Sequence, residues 1–301
     1  MKKTFFLVSI LSILLFRCSE DDNTNQYTFE PVDNFHIQSY HGFYAIYGGY
    51  ISSSYDGDNK VKFIYDDQNR IIERIGDIVY TSYGSGAGGY LHDSLYTDIT
   101  YETNKAILIK KIHPFGGFSH VPENEQIITF DSRGRMIKKV SDHVLNRYGT
   151  DTINYTYQND KLVEYTKTYN YDNDYSDFDI RYFEESNLYY TNNNLDSIVS
   201  VLKRKYSDEP YIAILSKRAY VFSGYDSSEN PFRKLSMFDE TFFRSLSRNN
   251  FSEYRVKSSS YYYPNDDYIQ GNGYYRPYQE TRFQSWPFAY DENNEWIYDN
   301  F

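Results

Sequence analysis

Phe63-Ile64-Tyr65-Asp66-Asp67-Gln68-Asn69-Arg70-Ile71-Ile72 and Ile128-Thr129-Phe130-Asp131-Ser132-Arg133-Gly134-Arg135-Met136-Ile137 are two copies of one pattern. In each, an alternating strand ends in an aromatic, a polar turn opens on Asp, and a second strand follows. An Asp in the first turn position can accept a hydrogen bond from the backbone two residues on, which starts a reversal. Four residues past the aromatic stand Asn69 and Gly134, types that tolerate positive φ at low cost. Short loops of that geometry join antiparallel strands. Each copy therefore predicts a β-hairpin.

The pattern recurs. Tyr155-Thr156-Tyr157-Gln158-Asn159-Asp160-Lys161-Leu162-Val163 and Phe288-Ala289-Tyr290-Asp291-Glu292-Asn293-Asn294-Glu295-Trp296-Ile297 are further clear copies. Weaker ones begin at Tyr101, Tyr190, Tyr225 and Tyr262, with Asn194 and Asn294 at the position of Gly134 in their copies. The aromatic anchors fall at 65, 101, 130, 157, 190, 225, 262 and 290, a loose but persistent period. Ile153, Tyr155 and Tyr157 alternate with Thr152, Asn154 and Thr156, the period of a strand with one wet face. Val163, Tyr165, Lys167 and Tyr169 continue it on the returning side, with Lys167 as the one break.

The expected fold is all-β. It is an antiparallel meander of about eight repeated hairpins, forming a large twisted open sheet or partial barrel with at most one short helix. The best helix candidate is Met237 to Asn249, where Phe238, Phe242, Phe243 and Leu246 sit at helical spacing. It is expected to pack over a sheet edge or mouth.

Phe130-Asp131-Ser132-Arg133-Gly134-Arg135-Met136 resembles the YD (Rhs-type) repeat, an aromatic-Asp pair, a short spacer, then Gly-Arg and an apolar residue. Tyr65-Asp66 through Arg70-Ile71 matches it with Asn69 in place of Gly. Tyr225-Asp226-Ser227-Ser228-Glu229-Asn230-Pro231-Phe232 resembles an Asn-Pro-Phe variant found in secreted Bacteroidetes-type lipoproteins of unknown function. That resemblance implies a porin-like β fold over most of residues 60–301, and no assigned activity. Fewer repeats than the large Rhs shells contain imply an open sheet rather than a closed one.

The N-terminus carries a second message. Lys2 and Lys3 precede the apolar run Phe5 to Phe16, which ends at Arg17 and Cys18, the chain's single cysteine. The run is too short to span a bilayer core of roughly 20 helical residues, and its order is that of a secretory signal. A lone cysteine can form no internal disulfide, so its place at the cleavage point reads as a lipid attachment site. Arg17 departs from the small residue such sites carry. Ser19, Glu20, Asp21 and Asp22 resemble the acidic surface-export signal of Bacteroidetes-type lipoproteins. The expected organisation is a signal peptide over 1–17, a flexible acidic tether over 18–33 and a repeat domain over 34–301.

Composition narrows the function classes. Loss of Lys2, Lys3 and Arg17 takes the formal charge from −11 to −14, which disfavours nucleic acid and basic-patch adhesion to anionic lipid. The 36 Tyr and 21 Phe suit a solvated β structure in which the tyrosine ring is buried and its hydroxyl reaches water. No metal ligand set is read from His36, His41, His92, His113, His120 and His143, though one loop could bring His113 and His120 together. Asp172, Asp174, Asp177 and Asp179 start like a calcium loop but carry Asp177 where Gly belongs and Phe183 where Glu belongs. No nucleophile elbow is present.

No catalytic residue and no cofactor is assigned from these features. The expected protein is a non-enzymatic, lipid-anchored binding or structural module on the outer face of the outer membrane. Its partners would be membrane lipid through acylated Cys18, and a glycan or an envelope protein. In the alternative of a glycan-binding accessory protein, Tyr262, Tyr274, Tyr275 and Trp286 would stack on sugar rings. In a further alternative, a carboxylate pair in the sheet's concavity would make it a hydrolase.

Overall fold

The structure, a computed structural model, describes residues 39–41, 50–51, 60–83, 86–112, 124–142, 150–169, 180–206, 212–227, 229–262 and 274–284. Among the described residues fifteen strands form one sheet. Its first hairpins are β3 (Lys60–Tyr65) with β4 (Ile71–Tyr83), β5 (Gly86–Glu102) with β6 (Lys105–Ile112), and β7 (Asn124–Phe130) with β8 (Met136–Asp142). The next are β9 (Thr150–Gln158) with β10 (Lys161–Tyr169), β11 (Ile180–Thr191) with β12 (Asn194–Tyr206), and β13 (Ile212–Tyr225) with β14 (Phe251–Tyr262). β15 (Tyr274–Gln284) closes the series, and β3 through β15 pair antiparallel in unbroken sequential order. β1 (Ser39–His41) adds to the outer edge of β3, and β2 (Tyr50–Ile51) lies parallel on Gly88 and Gly89 of β5. Among the described residues β1 and β15 do not pair with each other, so the meander is open.

The two tight repeats build the same turn. Asp66 Oδ1 accepts from the Gln68 and Arg70 backbone N–H groups at 2.9 Å each, and Asp131 Oδ1 accepts likewise from Arg133 and Arg135. The positive φ falls at Asn69 (60°) and Gly134 (74°), as the spacing requires. In the β11–β12 hairpin it falls at Asn192 and Asn193 instead of Asn194, and in β9–β10 at Asn159 and Asp160. Positive φ at both central residues is the two-residue hairpin geometry whose twist matches that of the strands. Tyr262 also differs from the other anchors. It ends β14, a returning strand, and so lies at the end of the sheet away from the turns capped by Tyr65, Tyr101, Phe130, Tyr157, Tyr190 and Tyr225. Residue 290 is outside the described residues.

A recurrent bulge bends this sheet. Tyr65 faces Ile71, Phe130 faces Met136, Tyr157 faces Leu162 and Tyr190 faces Leu195 across their hairpins. In each returning strand the next residue, Ile72, Ile137, Val163 or Asp196, is skipped by the ladder. An extra residue kinks a strand and increases its local twist. The inner face is consequently revisited after three residues rather than two. Ile71 is followed inward by Arg74, Met136 by Lys139, Leu162 by Tyr165, and Leu195 by Ile198, all buried. The skipped Ile72 and Ile137 are thrown outward and exposed.

The trough so formed is closed at its turn end by the β13–β14 connection. Asn230 begins it, with Oδ1 accepting from Phe232 N–H at 2.9 Å and Nδ2 donating to the carbonyls of Arg244 and Ser247. Pro231 then opens a 3₁₀ turn over Pro231–Leu235, where its missing N–H is no loss. Helix α1 (Asp239–Ser245) follows, shorter than the periodicity predicts. Its acidic first turn and Arg244 in its last turn both suit the helix dipole. Phe242 packs on Tyr155 and Tyr165, Phe243 on Tyr220 and Phe222, and Phe238 on Phe63. This aromatic layer between helix and trough is part of a hydrophobic core that continues through aliphatic residues of the strands such as Ile71, Leu108, Ile128, Leu162 and Leu195.

Candidate functional site in the trough

Below the aromatic layer the inward positions turn polar. Thr97, Gln126 and Ser141 are too short to reach across, and a cavity of about 520 Å³ opens between the strands and the first turn of α1. Its wall combines Tyr155, Tyr165, Tyr169 and Tyr220 with the charged side chains of Arg74, Asp77, Lys110, Asp151, Lys167, Glu184, Arg218, Asp239 and Glu240. These come from β4, β6, β9, β10, β11, β13 and α1, so the bulged curl of the sheet is what brings them together.

Most of the charges are paired. Lys110 Nζ lies 2.6 Å from Asp77, and Lys167 Nζ lies 2.7 Å from Asp151. Arg74 bridges Asp77 at 3.4 Å and Glu240 on the helix. Behind the wall, Lys139 is 2 % exposed and donates to Asp239 at 2.7 Å and to the Met237 carbonyl at 3.1 Å. A buried ammonium is tolerated only with such partners, so these contacts fix the helix against β8. Ser186 and Ser200 share a hydrogen bond at 2.7 Å beside the Tyr165 hydroxyl, and Ser186 Oγ stands 3.4 Å from Glu184.

The electrostatics separate two neighbouring carboxylates. Burial works to raise the Asp239 carboxyl, but Lys139 and Lys167 outweigh it and hold it below the usual range. About half of the Asp239 side chain is open, and it lines the cavity. Burial also pushes up the Glu240 carboxyl, and Asp77 adds to this against the pull of Arg74, so it is raised. Burial, then Asp239, raises the Tyr155 hydroxyl well above the ordinary phenol. Burial lowers the Arg218 guanidinium, but Tyr220, which accepts a hydrogen bond from it, and then Glu184 and Tyr169 bring the net shift upward.

The residues singled out from sequence lie elsewhere. Cys18, Ser19, Glu20, Asp21, Asp22 and Trp286 are outside the described residues, as are His113, His120 and the carboxylates Asp172 to Asp179. Tyr262 and Tyr274 are backbone partners across β14 and β15, and Tyr275 faces Tyr261. Among the described residues no group of three or more His, Cys, Asp or Glu is placed to hold a metal ion. No described helix is long and apolar enough to cross a membrane.

The trough residues carried a signal that alternation alone underused. Lys167 breaks the apolar face Tyr165–Tyr169 because that face looks into the cavity, where Asp151 neutralises it. Glu184 and Arg218 stand likewise in phase with the buried Leu188 and Phe222. Charges in phase with a strand's buried face mark a polar interior.

No protein-family model matches the chain, and no curated protein matches it. Among solved structures, the chain is similar to a porin-like protein from Bacteroides vulgatus, with 13% identity and a TM-score of 0.40. The match covers 79% of this chain and 95% of that one.

Proposed function

We propose that this chain is a lipid-anchored protein of the cell envelope that binds a small glycan in the trough without turning it over. The observation that supports binding is the cavity itself. At about 520 Å³ it has the volume of a small-molecule site, in the general range of roughly 300–1,000 Å³. Tyrosine rings supply apolar faces for a sugar ring, and the charged groups supply hydrogen-bond donors and acceptors for its hydroxyls. The ion pairs leave the lining nearly neutral, which suits an uncharged hydrophilic ligand better than an ion. The anchor rests on Lys2, Lys3, the apolar run to Phe16, and Cys18, and the outward-facing address on Ser19 to Asp22. In this reading the sugar contacts lie in the trough rather than on Tyr262, Tyr274, Tyr275 and Trp286.

The test is calorimetry of the full chain, purified in detergent, against a panel of neutral and acidic disaccharides. Saturable heat is expected with a neutral sugar, and Tyr165→Ala should abolish it. Absence of heat across the panel would remove the glycan reading.

A hydrolase is the second reading. It is favoured by Asp239 and Glu240, adjacent carboxylates facing one cavity and displaced in opposite directions, as an acid and its partner are in many hydrolases. Against it, Lys139 and Arg74 occupy the two carboxylates. Release of reducing ends from any sugar bound above, lost in Glu240→Gln, would favour turnover over binding.

A further inference from the structure

Glu184 and Arg218 are the carboxylate and the cation that the trough's ion pairs leave over. Among the described residues Lys110, Lys167 and Arg74 each meet a carboxylate, and Asp239 is met by Lys139 from behind. Glu184 has only the Ser186 hydroxyl at 3.4 Å, and Arg218 the Tyr220 hydroxyl. The two attract one another across the cavity without closing to an ion pair.

Their separation is built into the sheet. Arg218 pairs in register with Ser200 on β12, and Ser200 with Ser186 on β11, one inward position beyond Glu184. The two charged residues thus stand two strands apart and two residues out of register, about 12 Å at the backbone. Between their strands Ser186 and Ser200 are buried, bonded to each other beside the Tyr165 hydroxyl. Glu184 and Arg218 both line the cavity, so the gap between their charged ends opens into it.

The chemistry of the gap selects its occupant. A guanidinium only donates hydrogen bonds and a carboxylate only accepts them, whereas a hydroxyl does both. An acidic ligand would bring its charge against Glu184, and an ammonium would bring its charge against Arg218. We infer that Glu184 and Arg218 form a clasp for neighbouring hydroxyls of an uncharged sugar, an assignment that rests on the trough being the glycan site. Tyr220 lies close to Arg218 and lines the same cavity.

The experiment is calorimetry of the full chain in detergent with maltose, cellobiose, lactose and diacetylchitobiose as neutral probes and digalacturonate as the acidic one. Wild type and Lys62→Gln, an exposed site outside the trough, should bind at least one neutral probe equally. Arg218→Gln and Glu184→Gln should each weaken that binding by about tenfold or more, the usual effect of losing a charge-assisted hydrogen bond, with unfolding temperatures unchanged. If Arg218→Gln unfolds early, Arg218→Lys serves, since it keeps the charge and loses the fork. Wild-type affinity in Arg218→Lys, or in both Gln variants while wild type binds, overturns the clasp and leaves the glycan reading standing. Tighter binding of digalacturonate than of any neutral probe overturns the uncharged-sugar assignment. No binding by wild type overturns the glycan reading, and the clasp falls with it.

Discussion

The guanidinium of Arg135 lies 4.7 Å from the centre of the Tyr157 ring, one hairpin further along the sheet. The same group is gripped by Asp131, whose Oδ2 accepts from Nε at 2.7 Å. Arg70 repeats the arrangement, held by Asp66 at 2.8 Å and lying 4.6 Å from the Tyr101 ring centre. Tyr101 in turn donates to the Ile71 carbonyl of the preceding hairpin at 3.0 Å, and Tyr225 donates likewise to Leu195. Asp closes its own turn, Arg reaches the next aromatic, and that aromatic reaches back. The repeated residues are therefore the lateral fasteners between hairpins as well as the turns within them.

Asp131→Ala removes the acceptor of the Arg133 and Arg135 backbone N–H groups and releases the Arg135 side chain. A loss of about 2–3 kcal/mol is expected in urea unfolding, the scale of several hydrogen bonds removed at once. Tyr157→Leu tests the lateral fastener. Because both substitutions break one relay, their double mutant should cost less than the sum, by about 0.5–1 kcal/mol. Strict additivity would separate turn from fastener.

The same carboxylates set the response to acid. For both Asp66 and Asp131, burial tends to raise the carboxyl, but hydrogen bonds from Arg70 or Arg135 outweigh it and the folded value lies below the ordinary one. A depressed folded pKa contributes stability that is fully present above the unfolded value, near 4, and is lost as pH falls through the folded value. Stability should therefore be flat across neutral pH in this respect and decline below about pH 4. In Asp66→Asn/Asp131→Asn that decline should be shallower, as read from unfolding midpoints at a series of pH values.

The strand order and the two tight turns were legible because Asp66, Asn69, Asp131 and Gly134 act through contacts within five residues. The trough was not. Alternation predicts that Val163 shares a face with Tyr165, whereas the bulge at Val163 sets Leu162 inward with it. A bulge changes phase without changing composition, so nothing local announces it. The cavity wall is harder still, since Arg74 and Glu240, or Lys139 and Asp239, meet only once the sheet has curled around α1. The Asn230-Pro231-Phe232 stretch was visible as a motif. Its role as the capped start of the closing segment depends on the distant carbonyls of Arg244 and Ser247.

Lys139 tests that closing segment. Its ammonium is buried and spans from β8 to the Met237 carbonyl and Asp239. Lys139→Met fills the space but leaves both acceptors without it, and a cost of about 2–4 kcal/mol is expected. Lys139 is also the leading group that lowers the Asp239 carboxyl against burial. The substitution should therefore remove the Asp239 contribution to the acid limb, so that stability declines less steeply on acidification than in wild type, while Asp239→Asn in the same background should restore part of the loss. An unchanged acid limb would show that the ammonium is not what holds Asp239 ionised.

Cys18 carries the last prediction. If Lys2, Lys3 and the apolar run lead to lipidation there, Cys18→Ala leaves nothing for an acyl chain to join. The variant should appear in the soluble fraction or persist as an uncleaved precursor, and wild type should take up labelled palmitate where the variant does not. Normal cleavage together with unchanged membrane attachment would refute the anchor. Surface display is separable from it. Protease added to intact cells should digest the wild-type domain, and replacing Glu20, Asp21 and Asp22 by Ala should protect the domain while the lipid label stays. A protein digested equally in both forms would detach the acidic run from the outward address and leave Cys18 with the anchor alone.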